Sequence, residues 1–100
     1  MDIEQFKSEL HSALNKERPY EDYEIDARRC SSDRFDGVEF TITGEWIDIP
    51  VVYDVLRDHD KLFAESVGAT YHEDGNSLVI FVVELKFDPT NSATLREAKL

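Results

Sequence analysis

The fold is decided by the stretch from Ser77 to Phe87, which reads SLVIFVVELKF. Its odd-numbered positions are apolar from Val79 onward, and the opposite face carries Leu78, Ile80 and Val82. A strand that is apolar on both faces is typical of a central position in a covered sheet. We therefore predict that this strand lies in the middle of a sheet and that both of its faces are covered.

Three further strands are expected around the central one. Residues 69–73 precede it across the tight loop Asp74-Gly75-Asn76, which predicts a hairpin. Residues 22–30 and 38–43 alternate between apolar and polar side chains and flank an Asp-Gly turn, which predicts a second hairpin. Residues 46–49 either extend that hairpin or begin a short additional strand.

Two helices are predicted from apolar residues that recur at spacings of three and four. The first covers residues 2–17, with Asp2 placed to cap it. The second covers residues 50–67, with Pro50 in its first turn and Gly68 as its C-terminal cap. Asp58 and Asp60 could cap a new turn, so a break near residues 58–60 is compatible with the pattern.

The fold class is therefore α+β, in the order helix, strand, strand, helix, strand, strand. We expect a single antiparallel sheet of four or five strands with two helices on one face. Residues 1–88 form one domain, and residues 89–100 form a polar tail that can contain a short helix. The two halves have the same order of elements but no clear sequence repeat.

The prediction about partners rests on the second apolar face of the central strand. If both helices cover its odd-numbered positions, then Leu78, Ile80 and Val82 have no cover from within the sheet. Either the C-terminal segment or a second subunit can cover such a face. These three residues are therefore candidates for the interface of a homodimer.

The chain is strongly acidic, with 22 Asp plus Glu against 11 Lys plus Arg and a formal charge of −11. Residues 35–76 contribute ten acidic side chains and two basic ones. Such a charge repels nucleic acid phosphates and anionic lipid, so we expect neither a nucleic acid partner nor a membrane. The longest apolar run is too short to span a bilayer, and the single cysteine fits a reducing, cytoplasmic location.

Two histidines lie beside carboxylates, as a divalent metal site would require. His59 stands between Asp58 and Asp60, and His72 is followed by Glu73 and Asp74. His59, His72 and Asp74 are therefore weak metal-ligand candidates, although neither cluster has the spacing of a zinc or calcium motif. A boundary histidine and a hairpin turn explain them equally well, so we expect no cofactor and assign no catalytic residue.

Three other features suggest sites that compete with simpler explanations. Cys30 beside Arg28 and Arg29 could be an activated thiol, but a lone cysteine is more often a packing residue. Arg28, Arg29 and Arg34 could bind an anion, but internal ion pairs with nearby aspartates explain them better. Trp46 could be a ligand platform, although a tryptophan at a hairpin edge is more often part of the core.

Three classes of function follow from these observations. The excess of acids, five lysines and a normal apolar content resemble the proteomes of halophilic archaea, which implies a small cytosolic interaction or regulatory domain that is homodimeric. The order of elements, the size and the acidity also resemble type III secretion chaperones, which implies an acidic binding chaperone or anti-regulator that engages a basic protein. A small metal-dependent enzyme is the third class.

Overall fold

The computed structural model describes residues 1–72 and 75–85 of the chain. These residues form two helices and four strands, an α+β fold. The elements are α1 (Ile3–Glu17), β1 (Glu24–Ser31), β2 (Asp36–Gly44), α2 (Ile49–Arg57), β3 (Leu62–His72) and β4 (Gly75–Glu84). The predicted tail at 89–100 and the predicted end of the last strand at Phe87 lie outside the described residues.

The four strands form one antiparallel sheet in the order β1-β2-β4-β3. β4 is therefore an inner strand, as its two apolar faces predict. It pairs on one side with β2, where Phe40 lies opposite Ile80, and on the other side with β3, where Val67 lies opposite Ile80. β2 and β3 are both antiparallel to β4, so they run parallel to each other, and α2 connects them.

The core lies between the sheet and the two helices. Phe6 of α1 packs against Phe40 of β2, with their ring centroids 4.9 Å apart. The strands contribute Leu78, Ile80 and Val82, which are 1%, 1% and 0% exposed within this same cluster. Burying side chains of this size is the main favourable contribution to folding, at ~1.5–3 kcal/mol each.

The prediction that Leu78, Ile80 and Val82 face away from the helices is therefore wrong. These residues lie under the helices, and the odd-numbered positions lie on the other face of the sheet, hereafter the back face. The alternation of a strand separates the odd-numbered from the even-numbered residues of β4. Because both groups are apolar, the sequence does not show which group the helices cover. The three side chains are core residues and are not available as an interface.

Aromatic side chains also cover part of the back face. Phe81 and Val83 are 6% and 2% exposed on this side. Phe63 of β3 lies opposite Val83 and packs edge to face against Phe35, with ring centroids 5.5 Å apart. The back face is therefore partly covered by the chain's own aromatic residues.

The first helix forms as its sequence predicts. α1 begins after Asp2, whose Oδ1 accepts a hydrogen bond from the Gln5 amide at 3.0 Å. This bond satisfies one of the backbone N–H groups that the first turn leaves without a helical partner. The helix ends at Glu17, before Pro19, which cannot continue it.

The second helix is much shorter than predicted. α2 ends at Arg57, and residues 62–67, predicted to be helical, belong to β3. Phe63 and Val67 have helical spacing, but a bulge at Glu65 places them on opposite faces of the sheet. The bulge removes the strict alternation that identifies a strand, so helical spacing in this segment is a coincidence. Both alternatives for residues 46–49, an extension of the hairpin and a short additional strand, are also wrong, because β2 ends at Gly44 and α2 begins at Ile49.

No helix within the described residues has the length and the apolar character needed to cross a membrane.

Candidate functional site

An apolar groove with exposed aromatic walls lies on the helix side of the sheet. Trp46 is 53% exposed and Tyr71 is 73% exposed, both high values for large apolar side chains. They line a cavity of about 280 Å³, hereafter the Trp46 groove. Its lining residues are Trp46, Ile47, Ile49, Ala69, Tyr71, Asn76, Ser77 and Leu78. A concave surface with aromatic walls is the usual form of a site that binds an apolar side chain.

The groove exists because the helix layer is shorter than the strand beneath it. α2 has nine residues and is about 14 Å long at 1.5 Å per residue. β3 has eleven residues and is about 36 Å long at 3.3 Å per residue. The helix therefore leaves the second half of β3 open on this face, including Val67 and Tyr71.

Three contacts hold Trp46 in place although its ring is exposed. The Tyr23 hydroxyl donates a hydrogen bond to the Trp46 carbonyl, and the indole Nε1 donates to Asp48 Oδ1 at 3.0 Å. The Arg18 guanidinium lies 4.5 Å from the centre of the indole ring, within the range of a cation–π contact. Asp48 precedes α2, and its carboxylate accepts from the indole and makes no capping bond to the helix. Trp46 is therefore a fixed aromatic wall.

The Tyr23 phenol is itself held by burial. Its side chain is 3% exposed, and an added Cβ at Gly44 would lie 2.7 Å from its ring, so Tyr23 needs glycine at this position. Burial raises the pKa of Tyr23 above its usual 10.0, Glu21 and Asp48 raise this pKa further, and Arg18 lowers it. The phenol is therefore protonated at neutral pH and available as the hydrogen-bond donor to the Trp46 carbonyl.

An acidic hollow adjoins the groove. It has a volume of about 540 Å³ and is lined by Tyr20, Glu21, Asp22, Glu24, Thr43, Gly44, Glu45 and Gly75. These residues include four carboxylates and no basic side chain. The two cavities share a ridge, in which Asn76 Nδ2 donates to the Glu45 carbonyl at 2.8 Å. Glu24 and Thr43 alternate with core residues along β1 and β2, so their side chains lie on the back face, and the hollow lies around the end of the sheet from the groove.

The outer edge of β3 is the third feature of this region. β3 is an edge strand, and all six residues from Ser66 to Tyr71 are exposed and uncharged. The opposite edge strand, β1, carries four charged side chains among its eight residues. Charged side chains discourage an edge strand from pairing with another chain, so β3 is the edge without this protection.

His59, a metal-ligand candidate, forms a pair that its sequence neighbours do not suggest. Its Nε2 lies 2.6 Å from Glu9 Oε2 of α1, and its ring packs edge to face against Phe6 at 5.4 Å. The pair joins the end of α2 to α1. It was not predicted because Glu9 is fifty residues away in the sequence.

The remaining metal-ligand candidates stay predictions. Asp74 and the side chain of His72 lie outside the described residues. Within the part of the chain that is described, no three or more His, Cys, Asp or Glu side chains lie close enough together to hold a metal ion.

One of the two basic residues of β1, Arg28, forms a cross-strand pair. Arg28 lies opposite Glu39 in the register, and its Nε donates to Glu39 Oε1 at 2.9 Å. This hydrogen bond raises the pKa of the exposed Arg28 guanidinium. The partner is a residue of β2 and not one of the aspartates proposed from the sequence, while Cys30 is half-buried near the end of β1.

Comparison of the chain with protein-family models, with curated proteins and with solved structures gives no significant match.

Proposed function

We propose that this chain is a small acidic interaction domain that binds other proteins and forms a homodimer through the outer edge of β3. The observation that carries the proposal is the uncharged, exposed stretch from Ser66 to Tyr71 at the edge of the sheet. The backbone groups along such an edge can pair with a further strand. Addition of a strand gives affinity through the backbone and specificity through alternate side chains.

The charge of the chain favours this edge as the contact between two copies. Each copy has a formal charge of −11, so a second copy is repelled by most of the surface. Contact between copies therefore requires a segment without carboxylates, and the stretch from Ser66 to Tyr71 meets this condition. The charged edge at β1 does not meet it.

The sequence of β3 also fits itself in antiparallel pairing. A two-fold axis at Ala69 places Val67 of one copy opposite Tyr71 of its partner, and Gly68 opposite Thr70. Both Val67 and Tyr71 lie on the helix face and are 40% and 73% exposed in the single chain. Cross-strand pairs of an aromatic and a β-branched residue stabilise a sheet by ~0.2–1 kcal/mol each. The product is a continuous eight-stranded sheet with all four helices on one face.

The same proposal includes a cytoplasm rich in salt, as in halophilic archaea. The ratio of acidic to basic residues and the five lysines support it. At about 1 M salt the Debye length falls to about 3 Å, so repulsion between two acidic copies is largely screened. We therefore expect the dimer to be more stable at molar KCl than at 0.1 M.

The test is the mass of the particle in solution for the wild type and for Ala69→Asp. Ala69 is exposed, so the substitution leaves the fold intact, but in the dimer it places two carboxylates opposite each other at the axis. We expect sedimentation in 1 M KCl to give a dimer for the wild type and a monomer for Ala69→Asp. Ser12→Asp, an exposed position on α1, is the matched control and should remain dimeric.

A cross-linking experiment tests the register. In a Cys30→Ser background, Ala69→Cys places two thiols opposite each other across the axis, and mild oxidation should link the copies. Ser12→Cys in the same background should give no linked dimer beyond what random collision produces. A wild type that is monomeric from 0.1 to 3 M KCl would refute the homodimer.

A further inference from the structure

We infer that the Trp46 groove and the acidic hollow together dock a segment of a partner protein that carries a Lys or Arg beside an apolar side chain. The inference extends the proposed function by naming the chemistry of the partner. It rests on that proposal only in taking the chain to be a protein-binding domain, and it does not require the dimer.

The groove supplies the place for the apolar side chain. Trp46 is exposed but fixed by Tyr23, Asp48 and Arg18, so binding a ligand orders little that is not already ordered. Fixed aromatic residues in a concave surface are the usual source of affinity at protein interfaces. A volume of about 280 Å³ accommodates a leucine or phenylalanine side chain.

The hollow supplies the place for the cation. Its four carboxylates have no basic side chain among the other residues that line it. Tyr20, at its rim, is fully exposed and offers a ring face to an ammonium or guanidinium group. A side chain of the opposite charge is therefore the occupant that the electrostatics favours.

The two cavities meet at one end of the sheet, the groove on the helix face and the hollow toward the back face. They meet at the ridge where Asn76 donates to the Glu45 carbonyl, and Gly75 on this ridge has a φ of 138°, which favours glycine. An added Cβ at Gly75 would lie 3.6 Å from the Gly44 carbonyl oxygen, so the end of β2 and the start of β4 are in contact here. Successive side chains of an extended segment point to opposite sides, so a segment that crosses the end of the sheet at this ridge can place one side chain in the groove and the next in the hollow.

The same features disfavour other occupants. Nucleic acid phosphates are repelled by the carboxylates of the hollow, and a second copy of this chain brings a net charge of the same sign. A basic segment with an apolar anchor satisfies both cavities, whereas an acidic or purely polar segment satisfies neither. We therefore commit to a basic, partly apolar segment of a different protein.

Trp46 is the single tryptophan of the chain, so its fluorescence reports directly on the groove. The probe is a synthetic twelve-residue peptide that alternates Arg or Lys with Leu and contains no aromatic residue. We expect a saturable blue shift of the emission as the peptide covers the indole. Peptides with Glu in place of the bases, or Ser in place of Leu, should bind at least about tenfold more weakly.

Two variants with the same net charge distinguish binding by the carboxylates of the hollow from attraction by the net charge of the protein. Glu45→Lys and Asp33→Lys change the formal charge equally, and both positions are exposed, but Asp33 precedes β2 and Glu45 follows it. We expect Glu45→Lys to weaken binding about tenfold and Asp33→Lys to change it less than about twofold. Equal losses from the two variants would show attraction by net charge alone and would overturn the inference.

A second pair of variants tests the groove by calorimetry. Trp46→Ala should abolish measurable binding, whereas Tyr53→Ala, which removes an aromatic ring that is 45% exposed on α2, should leave it unchanged. Thermal melts confirm that each variant is folded before binding is measured. Binding by Trp46→Ala with the affinity of the wild type would refute the groove as the docking site.

The experiments distinguish a failure of the docking inference from a failure of the dimer proposal. The titration is repeated with Thr70→Asp, which places a charge on the same exposed edge but outside the residues that line the two cavities, so we expect the same affinity. A wild type that binds the peptide but stays monomeric refutes only the dimer. A dimer that gives no blue shift with the basic peptide refutes only the docking inference.

Discussion

Tyr23 connects the hydrophobic core to the candidate binding surface. Its ring is buried beside Gly44, and its hydroxyl reaches the carbonyl of Trp46 in the loop before α2. Loops are usually more mobile than the elements they connect. A hydrogen bond from a buried phenol therefore gives this loop a fixed position that it would otherwise lack.

The raised pKa of Tyr23 predicts a loss of stability at alkaline pH. The folded phenol holds its proton more tightly than the unfolded one, so its contribution is fully present below pH 10.0 and is lost as pH rises through the folded pKa. Tyr23→Phe removes this contribution. We expect the variant to be about 1 kcal/mol less stable than the wild type at pH 8, from the lost hydrogen bond.

The difference in free energy of unfolding between the wild type and Tyr23→Phe should narrow as pH rises above 10.0, because the unfolded wild type then loses the Tyr23 proton while the folded protein still holds it. Urea unfolding of both proteins at several pH values between 8 and 11 measures this difference in free energy. A difference that stays constant over this interval would contradict the assignment.

At the scale of the elements, two strand positions occupied by glycine differ in whether they require it. At Gly37 of β2, an added Cβ would lie 2.5 Å from the Val82 carbonyl oxygen and 3.0 Å from the Phe81 ring. At Gly68 of β3, no atom lies within 4 Å of an added Cβ. The first glycine is required by close packing between strands, and the second is not.

We therefore predict that Gly37→Ala destabilises the fold by ~1–3 kcal/mol, because the backbone of β4 cannot move away without loss of pairing. Gly68→Ala should be neutral or stabilising by up to ~1 kcal/mol, because it reduces the freedom of the unfolded chain. Urea unfolding of the two variants side by side measures both effects. Equal destabilisation by the two substitutions would argue against the register of β2 and β4.

The elements that the sequence predicts are those whose pattern depends on local structure. α1 follows its capping residue and its apolar spacing, and the first hairpin follows its alternation. The predicted turn at Asp36-Gly37 is wrong, because both residues pair with β1 and the turn spans residues 32–35. The boundary between α2 and β3 is hidden because a bulge at Glu65 breaks the alternation of the strand. Tertiary pairing with β4, and not local preference, makes residues 62–67 a strand.

The candidate site was less predictable because it is formed by residues far apart in the chain. The sequence favours a core position for Trp46 over a ligand platform, and this is wrong, because the ring is 53% exposed. Its exposure depends on the length of α2 relative to β3, and the sequence predicts α2 too long. The pairing of His59 with Glu9 depends on how the two helices pack. The uncharged run from Ser66 to Tyr71 was visible in the sequence, although its place at the sheet edge was not.

At the scale of the whole molecule, charge and apolar surface are separated. Within the described residues, every side chain that is buried is hydrophobic, so the carboxylates stand at the surface or at its boundary. The acids therefore do not contribute to the core, and their main effect on folding is mutual repulsion. Residues 35–76 hold ten acidic and two basic side chains, so most of the net negative charge belongs to this part of the sequence.

This arrangement predicts that salt stabilises the fold. The Debye length is ~10 Å at 0.1 M salt and ~3 Å at 1 M, so neighbouring carboxylates repel each other at the first concentration and are screened at the second. We expect the midpoint of thermal unfolding, followed by circular dichroism, to rise from 0.1 M to 2 M KCl. The midpoint of the monomeric Ala69→Asp variant should also rise with KCl. This result would show that salt acts by screening charges within one chain and not only by promoting association of two chains.

A variant with three exposed acids removed, Asp33→Asn, Asp60→Asn and Glu65→Gln, provides the matched control. Because it carries less negative charge, its midpoint should rise less steeply with KCl and should exceed that of the wild type at 0.1 M. Equal stability of the wild type at 0.1 M and 2 M KCl would instead refute adaptation to salt. The four carboxylates of the acidic hollow would then be explained by a basic partner, since a binding surface needs them at any salt concentration and a salt-adapted surface does not.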